Sequence, residues 1–190
     1  EMRGPLAYIR IQQFILPTTN DFKKALVEAY QKGAKGIILD LRDNPGGILS
    51  EAVDVASQFL TRGIAVKIVD KDGIETIQKV KPGGIAKDLP VIVLVNGGSA
   101  SASEIVAGAL QDNGRAKLAG EKTFGKASVQ NFVKLDDGSA IKITTAHYYT
   151  PNGTLISGTG LTPDYPSELK DEELIKWAEE YLNNIISSQP

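Results

Sequence analysis

Two short apolar runs, each followed by a glycine-rich turn, constrain the fold of this chain most strongly. Residues 36–41 read Gly-Ile-Ile-Leu-Asp-Leu, and residues 90–95 read Pro-Val-Ile-Val-Leu-Val. Runs of this kind are typical of strands in a sheet that is covered on both faces. The turns that follow, at residues 44–47 and 96–103, each lead into a helical pattern.

The rest of the chain continues this alternation of strands and helices, which predicts the α/β class. Thr19 or Asn20 is the predicted N-cap of the first helix. The 190 residues fit one domain. Further strands are predicted at residues 6–11, 64–69, 74–80, 116–119, 128–134 and 140–146, and helices at 22–30, 52–60, 105–110 and about 171–185.

Composition excludes several kinds of active site. The chain has no cysteine, which excludes a thiol nucleophile and cysteine-based zinc sites. Its only histidine is His147, so a Ser-His-Asp triad would have to use that residue. A net charge of −2 lacks the basic surplus that is typical of nucleic-acid binders. We identify no signal peptide and no apolar run of the roughly 18 residues that span a bilayer.

The turn at residues 96–103 is a candidate site because sites in α/β sheets form beyond the carboxyl ends of strands. A serine there lies near a helix N-terminus, where exposed N–H groups favour the oxyanion of acyl transfer. The serines also have a structural explanation. Ser101 and Glu104 have the spacing of a capping box, and Ser103 could also cap the helix. From spacing alone, capping is the better supported explanation.

A nucleophilic serine needs a base, and the sequence offers two candidates. His147 follows the predicted strand 140–146 beside two tyrosines, where a lone histidine is more often a packing or surface residue. Lys126 ends the loop 120–126, in which a glycine precedes it. Because the free pKa of lysine is about 10.4, a lysine base must lie in a site that favours its neutral form. Burial away from acids provides such a site.

Taken together, four segments resemble the carboxyl-terminal processing (tail-specific) serine proteases. The resemblance covers about residues 6–166. Its segments are Leu41-Arg42-Asp43-Asn44-Pro45-Gly46-Gly47, Gly98-Ser99-Ala100-Ser101-Ala102-Ser103-Glu104, Gly120-Glu121-Lys122-Thr123-Phe124-Gly125-Lys126-Ala127-Ser128-Val129-Gln130, and Tyr149-Thr150-Pro151-Asn152-Gly153 with Gly158-Thr159-Gly160-Leu161-Thr162-Pro163-Asp164.

The resemblance implies a role for three side chains. In this family the middle serine of the Ser-Ala-Ser-Ala-Ser run is the nucleophile, which here is Ser101. The lysine of the Thr-Phe-Gly-Lys segment is the general base, here Lys126. The glutamine four residues later orients that lysine, here Gln130.

The resemblance also implies an oxyanion hole and a fold. The hole would use the backbone N–H groups of Ala102 and of a glycine in the turn, with Gly47 favoured over Gly46. The expected fold is a crotonase-like and Clp-protease-like α/β core, in which a mainly β-sheet framework is flanked by helices.

The expected substrates are polypeptides, bound through their C-terminal tails, with no cofactor, metal or nucleic acid. The oligomeric state is left open. The family usually carries a PDZ domain before the catalytic core. None precedes residue 8, so residues 1–190 are interpreted as a core without that domain. Relatives are exported, which implies a bacterial periplasm or cell envelope, or a plastid lumen.

Two alternatives remain open. One is an inactive or latent peptide-binding core of the same fold. The other is a crotonase-like acyl-CoA enzyme, although the sequence carries no separate CoA-binding signal. The serine and lysine together favour the protease.

Overall fold

A computed structural model describes residues 1–188, apart from the side chains of residues 131 and 132. The strands are β1 (Met2–Arg3), β2 (Leu6–Arg10), β3 (Gly36–Asp40), β4 (Ile64–Asp70), β5 (Glu75–Lys79), β6 (Val91–Val95), β7 (Lys117–Gly120), β8 (Ser128–Lys134), β9 (Ala140–Tyr149) and β10 (Tyr165–Pro166). The helices are α1 (Thr18–Gln31), α2 (Leu49–Phe59), α3 (Ala102–Asp112) and α4 (Asp171–Ser187).

The central sheet has six strands in the order β1-β2-β3-β6-β7-β10. All its neighbouring strands run parallel except β1, which pairs antiparallel with β2. Strands β3 and β6 are completely buried, because alternate side chains face opposite helical layers. Ile37 and Leu39 pack with α1, α2 and α3, whereas Ile38 packs with α4. The α/β class predicted from the sequence is confirmed.

A second sheet is antiparallel, with the order β5-β4-β9-β8. Ala65 and Val66 of β4, and Tyr148 of β9, join the core formed by α1, α2 and α3. Strand β4 of this sheet therefore packs against α2 and α3. None of the helices within residues 1–188 is long and apolar enough to cross a membrane.

Two local predictions are wrong. Helix α1 begins at Thr18 with Pro17 at its N-cap, so neither Thr19 nor Asn20 caps it. The backbone N–H and the hydroxyl of Thr19 instead donate to Oε2 of Glu51, at 2.6 and 2.7 Å, so a buried carboxylate from α2 serves this helix end. The last long strand also extends past residue 146, so that His147 lies inside β9.

Candidate active site

Two turns meet at the carboxyl end of the central sheet: the glycine turn (residues 42–47) after β3, and the serine turn (residues 96–101) after β6. The Asp43 N–H donates to Oδ1 of Asn96 at 2.9 Å. The Ala100 N–H donates to the main-chain oxygen of Asn44 at 3.0 Å. Because β3 and β6 are neighbours, their turns emerge side by side and are joined by these bonds.

Ser101 is the N-cap of α3 and has φ 54° and ψ −114°. A positive φ is uncommon for a residue other than glycine and carries a conformational cost. Its N–H donates to Oε2 of Glu104 at 2.9 Å, as the capping-box spacing predicts. Ser101 is also partly exposed. The cap position and an accessible hydroxyl thus coexist on a strained turn between a strand and a helix, as in a nucleophile elbow.

Two backbone N–H groups beside Ser101 donate to no acceptor among the described residues. One belongs to Ala102, the first residue of α3, and the other to Gly47. The Gly46 N–H, in contrast, donates to Oδ1 of Asn44 at 2.9 Å. Gly46 is buried and Gly47 is exposed. The glycine turn therefore offers Gly47, and not Gly46, as a free donor.

Close backbone packing explains both glycines of the turn. A Cβ on Gly46 would lie 2.7 Å from the Ala102 nitrogen. Gly47 has φ 141°, and a Cβ there would collide with the main-chain oxygen of Phe14. Phe14 itself is held by bonds from its N–H to Gly46 oxygen, at 2.9 Å, and from the Ile48 N–H to its own oxygen, at 2.8 Å. Only glycine fits at these two positions without moving backbone.

Lys126 ends the loop that follows β7. Its N–H donates to Oε2 of Glu104 at 3.0 Å, and this is the same oxygen that accepts the N–H of Ser101. The backbone nitrogens of Ser101 and Lys126 therefore both lie within hydrogen-bonding distance of one carboxylate oxygen. The Lys126 side chain is exposed and makes no hydrogen bond to Ser101 within the described part of the chain.

Gln130 and His147 are less directly connected to this cluster. Gln130 lies on β8 beside a register shift at Val129, and no bond to Lys126 is found among the described residues. His147 is exposed on β9, where it pairs in register with Ser128. The structure thus brings Ser101, its neighbour in α3, the glycine turn and Lys126 together, but it joins neither Gln130 nor His147 to them by a hydrogen bond within residues 1–188.

Arg42, the first residue of the glycine turn, forms an ion pair with Asp40 at the end of β3. Arg42 donates to the carboxylate of Asp40 through Nε at 3.0 Å and through Nη2 at 2.6 Å, and both residues are buried. The Tyr8 hydroxyl donates to the same carboxylate at 2.7 Å. Burial, together with the neighbouring Asp40, raises the pKa of Tyr8 to about 12.

Within residues 1–188, no three His, Cys, Asp or Glu side chains cluster so as to hold a metal ion.

Comparison with known proteins identifies the family of this chain. Residues 5–167 match the model of peptidase family S41. The chain belongs to peptidase family S41. The resemblance to carboxyl-terminal processing proteases is confirmed.

Curated relatives of this S41 domain are longer than it is. A "Carboxy-terminal-processing protease" of Bartonella bacilliformis is 45% identical over 168 residues, which cover 86% of this chain and 39% of the relative. A "Carboxyl-terminal-processing protease" of Synechocystis sp. is 44% identical over 174 residues, covering 92% and 40%. A chloroplastic "C-terminal processing peptidase" of Tetradesmus obliquus is 43% identical over 159 residues, covering 84% and 34%. The chain thus spans less than half the length of each.

Solved structures confirm the fold. The photosystem II D1 C-terminal processing protease superposes with a TM-score of 0.83 at 41% identity, covering 90% of this chain and 45% of that one. The tricorn protease superposes with a TM-score of 0.55 at 18% identity, covering 97% and 18%, which is a likeness of fold alone. The expected Clp-protease-like core of sheets flanked by helices is therefore correct.

Two buried residues of the candidate site make contacts that sequence reasoning missed. Capping-box spacing indicates the contact of Glu104 with Ser101, but its contact with the Lys126 N–H joins positions 22 residues apart. Asn44 is fully buried, accepts the Gly46 N–H and donates from Nδ2 to the main-chain oxygen of Ile11 at 2.7 Å. An asparagine before proline and glycines reads only as a turn signal, so nothing local distinguishes this role.

Proposed function

We propose that this S41 domain is a serine endopeptidase in which Ser101 and Lys126 form a catalytic dyad. One observation carries the proposal. Ser101 lies on a strained, partly exposed turn. The backbone N–H groups of Ala102, the next residue, and of Gly47, which follows the glycine packed against Ser101, donate to no acceptor in the described residues. Unused donors close to a hydroxyl suit an oxyanion that forms when that hydroxyl attacks a carbonyl.

The mechanism has four steps. Neutral Lys126 takes the proton of the Ser101 hydroxyl while its oxygen attacks the carbonyl carbon of the peptide bond. The resulting oxyanion accepts hydrogen bonds from the N–H groups of Gly47 and Ala102. The C–N bond breaks as the protonated lysine gives its proton to the leaving amine. Water, deprotonated by the same lysine, then releases the acyl group from Ser101.

The dyad closes when substrate binds. The Lys126 side chain is exposed in this structure, and catalytic hydrogen bonds often tighten only in the substrate complex. A bound peptide would exclude water from the amine and favour its neutral form. Gln130, four residues further along on β8, would orient that amine. Its partly exposed side chain remains accessible for this role.

The substrate is a polypeptide that is cut near its C-terminus. The names of the relatives from Bartonella, Synechocystis and Tetradesmus support C-terminal processing. An open groove of about 520 Å³ supports an extended, partly apolar ligand. Ile11, Ile15 and Phe22 are among the residues that line it. Its lining residues Gln13 and Ile15 flank Phe14 in the chain. Phe14 pairs with Gly47 of the proposed oxyanion hole.

Two further parts of the proposal concern the parent protein. Residues 1–190 correspond to the catalytic core, and in its relatives a longer chain carries additional segments. We expect the parent protein to be exported, in a bacterial cell envelope or a plastid lumen. The chloroplastic name of the Tetradesmus relative supports the plastid alternative.

The exposed Lys126 favours one second candidate, a latent core that binds peptides without cutting them. Hydrolysis of casein separates the two. Wild type should cut, Ser101→Ala and Lys126→Ala should not, and Lys122→Ala, which removes another exposed lysine of the same loop, should match wild type. Equal activity of Lys126→Ala and wild type would remove Lys126 as the base and make His147 the next candidate.

A covalent label tests Ser101 independently of turnover. A fluorophosphonate should attach to Ser101, located by peptide mapping, and should react far more slowly with Lys126→Ala. Binding of casein without cleavage or labelling would favour the latent core. Saturable binding of acyl-CoA, which no contact among the described residues suggests, would favour the crotonase-like alternative.

A further inference from the structure

Glu104, in the first turn of α3, is fully buried and contacts both halves of the site. Oε2 accepts the N–H groups of Ser101 and Lys126, at 2.9 and 3.0 Å. Oε1 accepts the Thr123 hydroxyl at 2.6 Å and the Gly125 N–H at 2.7 Å. We propose that Glu104 is a positioning residue, whose carboxylate fixes the nucleophile turn relative to the general-base loop. This inference rests on the proposed function of Ser101 and Lys126.

The chemistry of the four contacts requires a carboxylate. All four partners of Glu104 donate, and an ionised carboxylate has about four lone-pair sites and no proton of its own. The position of Glu104 in the first turn of α3 also favours a negative charge, because the helix dipole is positive there. A glutamine would turn an NH₂ group toward two donors, so it could not serve both pairs of contacts.

The contacts matter because neither segment is in a regular element. Ser101 has a positive φ, a conformation that needs support from its surroundings. The loop before Lys126 is attached to residues 158–161: the Thr123 oxygen Oγ1 accepts the Leu161 N–H at 2.7 Å, and the Gly125 oxygen accepts the Gly158 N–H at 2.8 Å. Glu104 therefore connects this loop to the turn that carries Ser101.

The first test compares two buried glutamates. Glu104→Gln should lower kcat on casein about 100-fold with KM unchanged, because a displacement on the order of 1 Å between reacting groups costs that much. Glu51→Gln is the matched control, since Glu51 is also a buried first-turn glutamate that accepts an N–H and a hydroxyl, both from Thr19. It should lower the melting temperature and leave kcat unchanged. Equal effects of the two variants on kcat would overturn the inference.

A second pair of variants applies if Glu104→Gln does not fold. Thr123→Val removes the hydroxyl that donates to Glu104 and keeps the side-chain shape, so kcat should fall on the order of tenfold. Thr123→Ser retains the hydroxyl and should restore kcat to near the wild-type value. If Val and Ser at this position gave the same kcat, the hydroxyl contact would have no part in positioning.

A third readout does not depend on catalysis. In ¹⁵N-labelled protein, the amide proton resonances of Ser101, Gly125 and Lys126 should all move upfield in Glu104→Gln, because their acceptor loses its charge. In Glu51→Gln they should stay in place. Unmoved Ser101 and Lys126 signals in Glu104→Gln would refute the shared contact. A wild type that neither cuts casein nor reacts with the fluorophosphonate would refute the proposed function and leave this readout intact.

Discussion

The Ser103 hydroxyl donates to the main-chain oxygen of Asn44 across 2.9 Å, and both residues are fully buried. The same oxygen accepts the Ala100 N–H at 3.0 Å. Helix α3 and the glycine turn are therefore tied to one carbonyl group. Because Ala102 starts α3 and Gly47 ends the turn, this carbonyl sets the distance between the two proposed oxyanion donors.

Ser103→Ala tests that arrangement. Loss of one buried hydrogen bond should lower the free energy of unfolding by about 1 kcal/mol. It should also lower kcat severalfold with little change in KM, because only the oxyanion donors shift. Ser57→Ala is the control: its buried hydroxyl donates to the Val53 oxygen at 2.6 Å and accepts the Lys81 N–H at 2.9 Å, away from the site. Urea unfolding and casein kinetics measure both, and an unchanged kcat for Ser103→Ala would contradict the argument.

Alanine at the two turn glycines should be far more damaging. Gly46→Ala and Gly47→Ala each place a Cβ against backbone at a positive φ, so the turn must move. We expect kcat to fall by about 10²–10³, the usual cost of losing one oxyanion donor. Gly97→Ala provides the control, since its Cβ would have no heavy atom within 4 Å. Alanine keeps the N–H and changes only its position, so a Gly47→Ala enzyme with wild-type kcat would show that catalysis does not depend on the position of this turn.

The parts of this fold that follow from local patterns were predictable from the sequence. The buried strands β3 and β6 appear as apolar runs, and the contact of Ser101 with Glu104 appears as a three-residue spacing. The roles of Ser101 and Lys126 came from the family resemblance, and they stay predictions that the variants above test.

Long-range contacts were not predictable. Glu51 reaches Thr19 from another helix, which is why the predicted cap of α1 was wrong. Glu104 reaches Lys126 only because α3 and the loop after β7 meet in the folded chain. The two-residue strands β1 and β10 exist because longer strands lie beside them, and two residues carry no recognisable alternation.

Substitutions of Arg42 and Asp40, which form a buried ion pair, should have strongly coupled effects on the free energy of unfolding. Arg42→Met leaves the fully buried Asp40 carboxylate without its bidentate partner, so the free energy of unfolding should fall by about 3–5 kcal/mol. Asp40→Leu alone should also be costly, because it leaves Arg42 unpaired. The double variant should lose less than the two single losses added together. Urea unfolding of all four proteins measures this coupling, and additive losses would show that the pair is not a unit.

Lowering the pH should remove the contribution that Asp164 makes to the free energy of unfolding. Burial alone would raise the pKa of this carboxyl, but hydrogen bonds from the Leu118 N–H, Lys117 and Gln111 outweigh it and hold the pKa below its ordinary value. A group with a lowered pKa in the folded state stabilises fully above its unfolded pKa, near 4, and loses that contribution as the pH falls through the folded value. Between about pH 6 and about pH 3, urea unfolding of the wild type should therefore lose more free energy than that of Asp164→Asn, with Lys117→Met between them. Parallel pH profiles for wild type and Asp164→Asn would show that the carboxylate is no more stabilised in the folded chain than in the unfolded one.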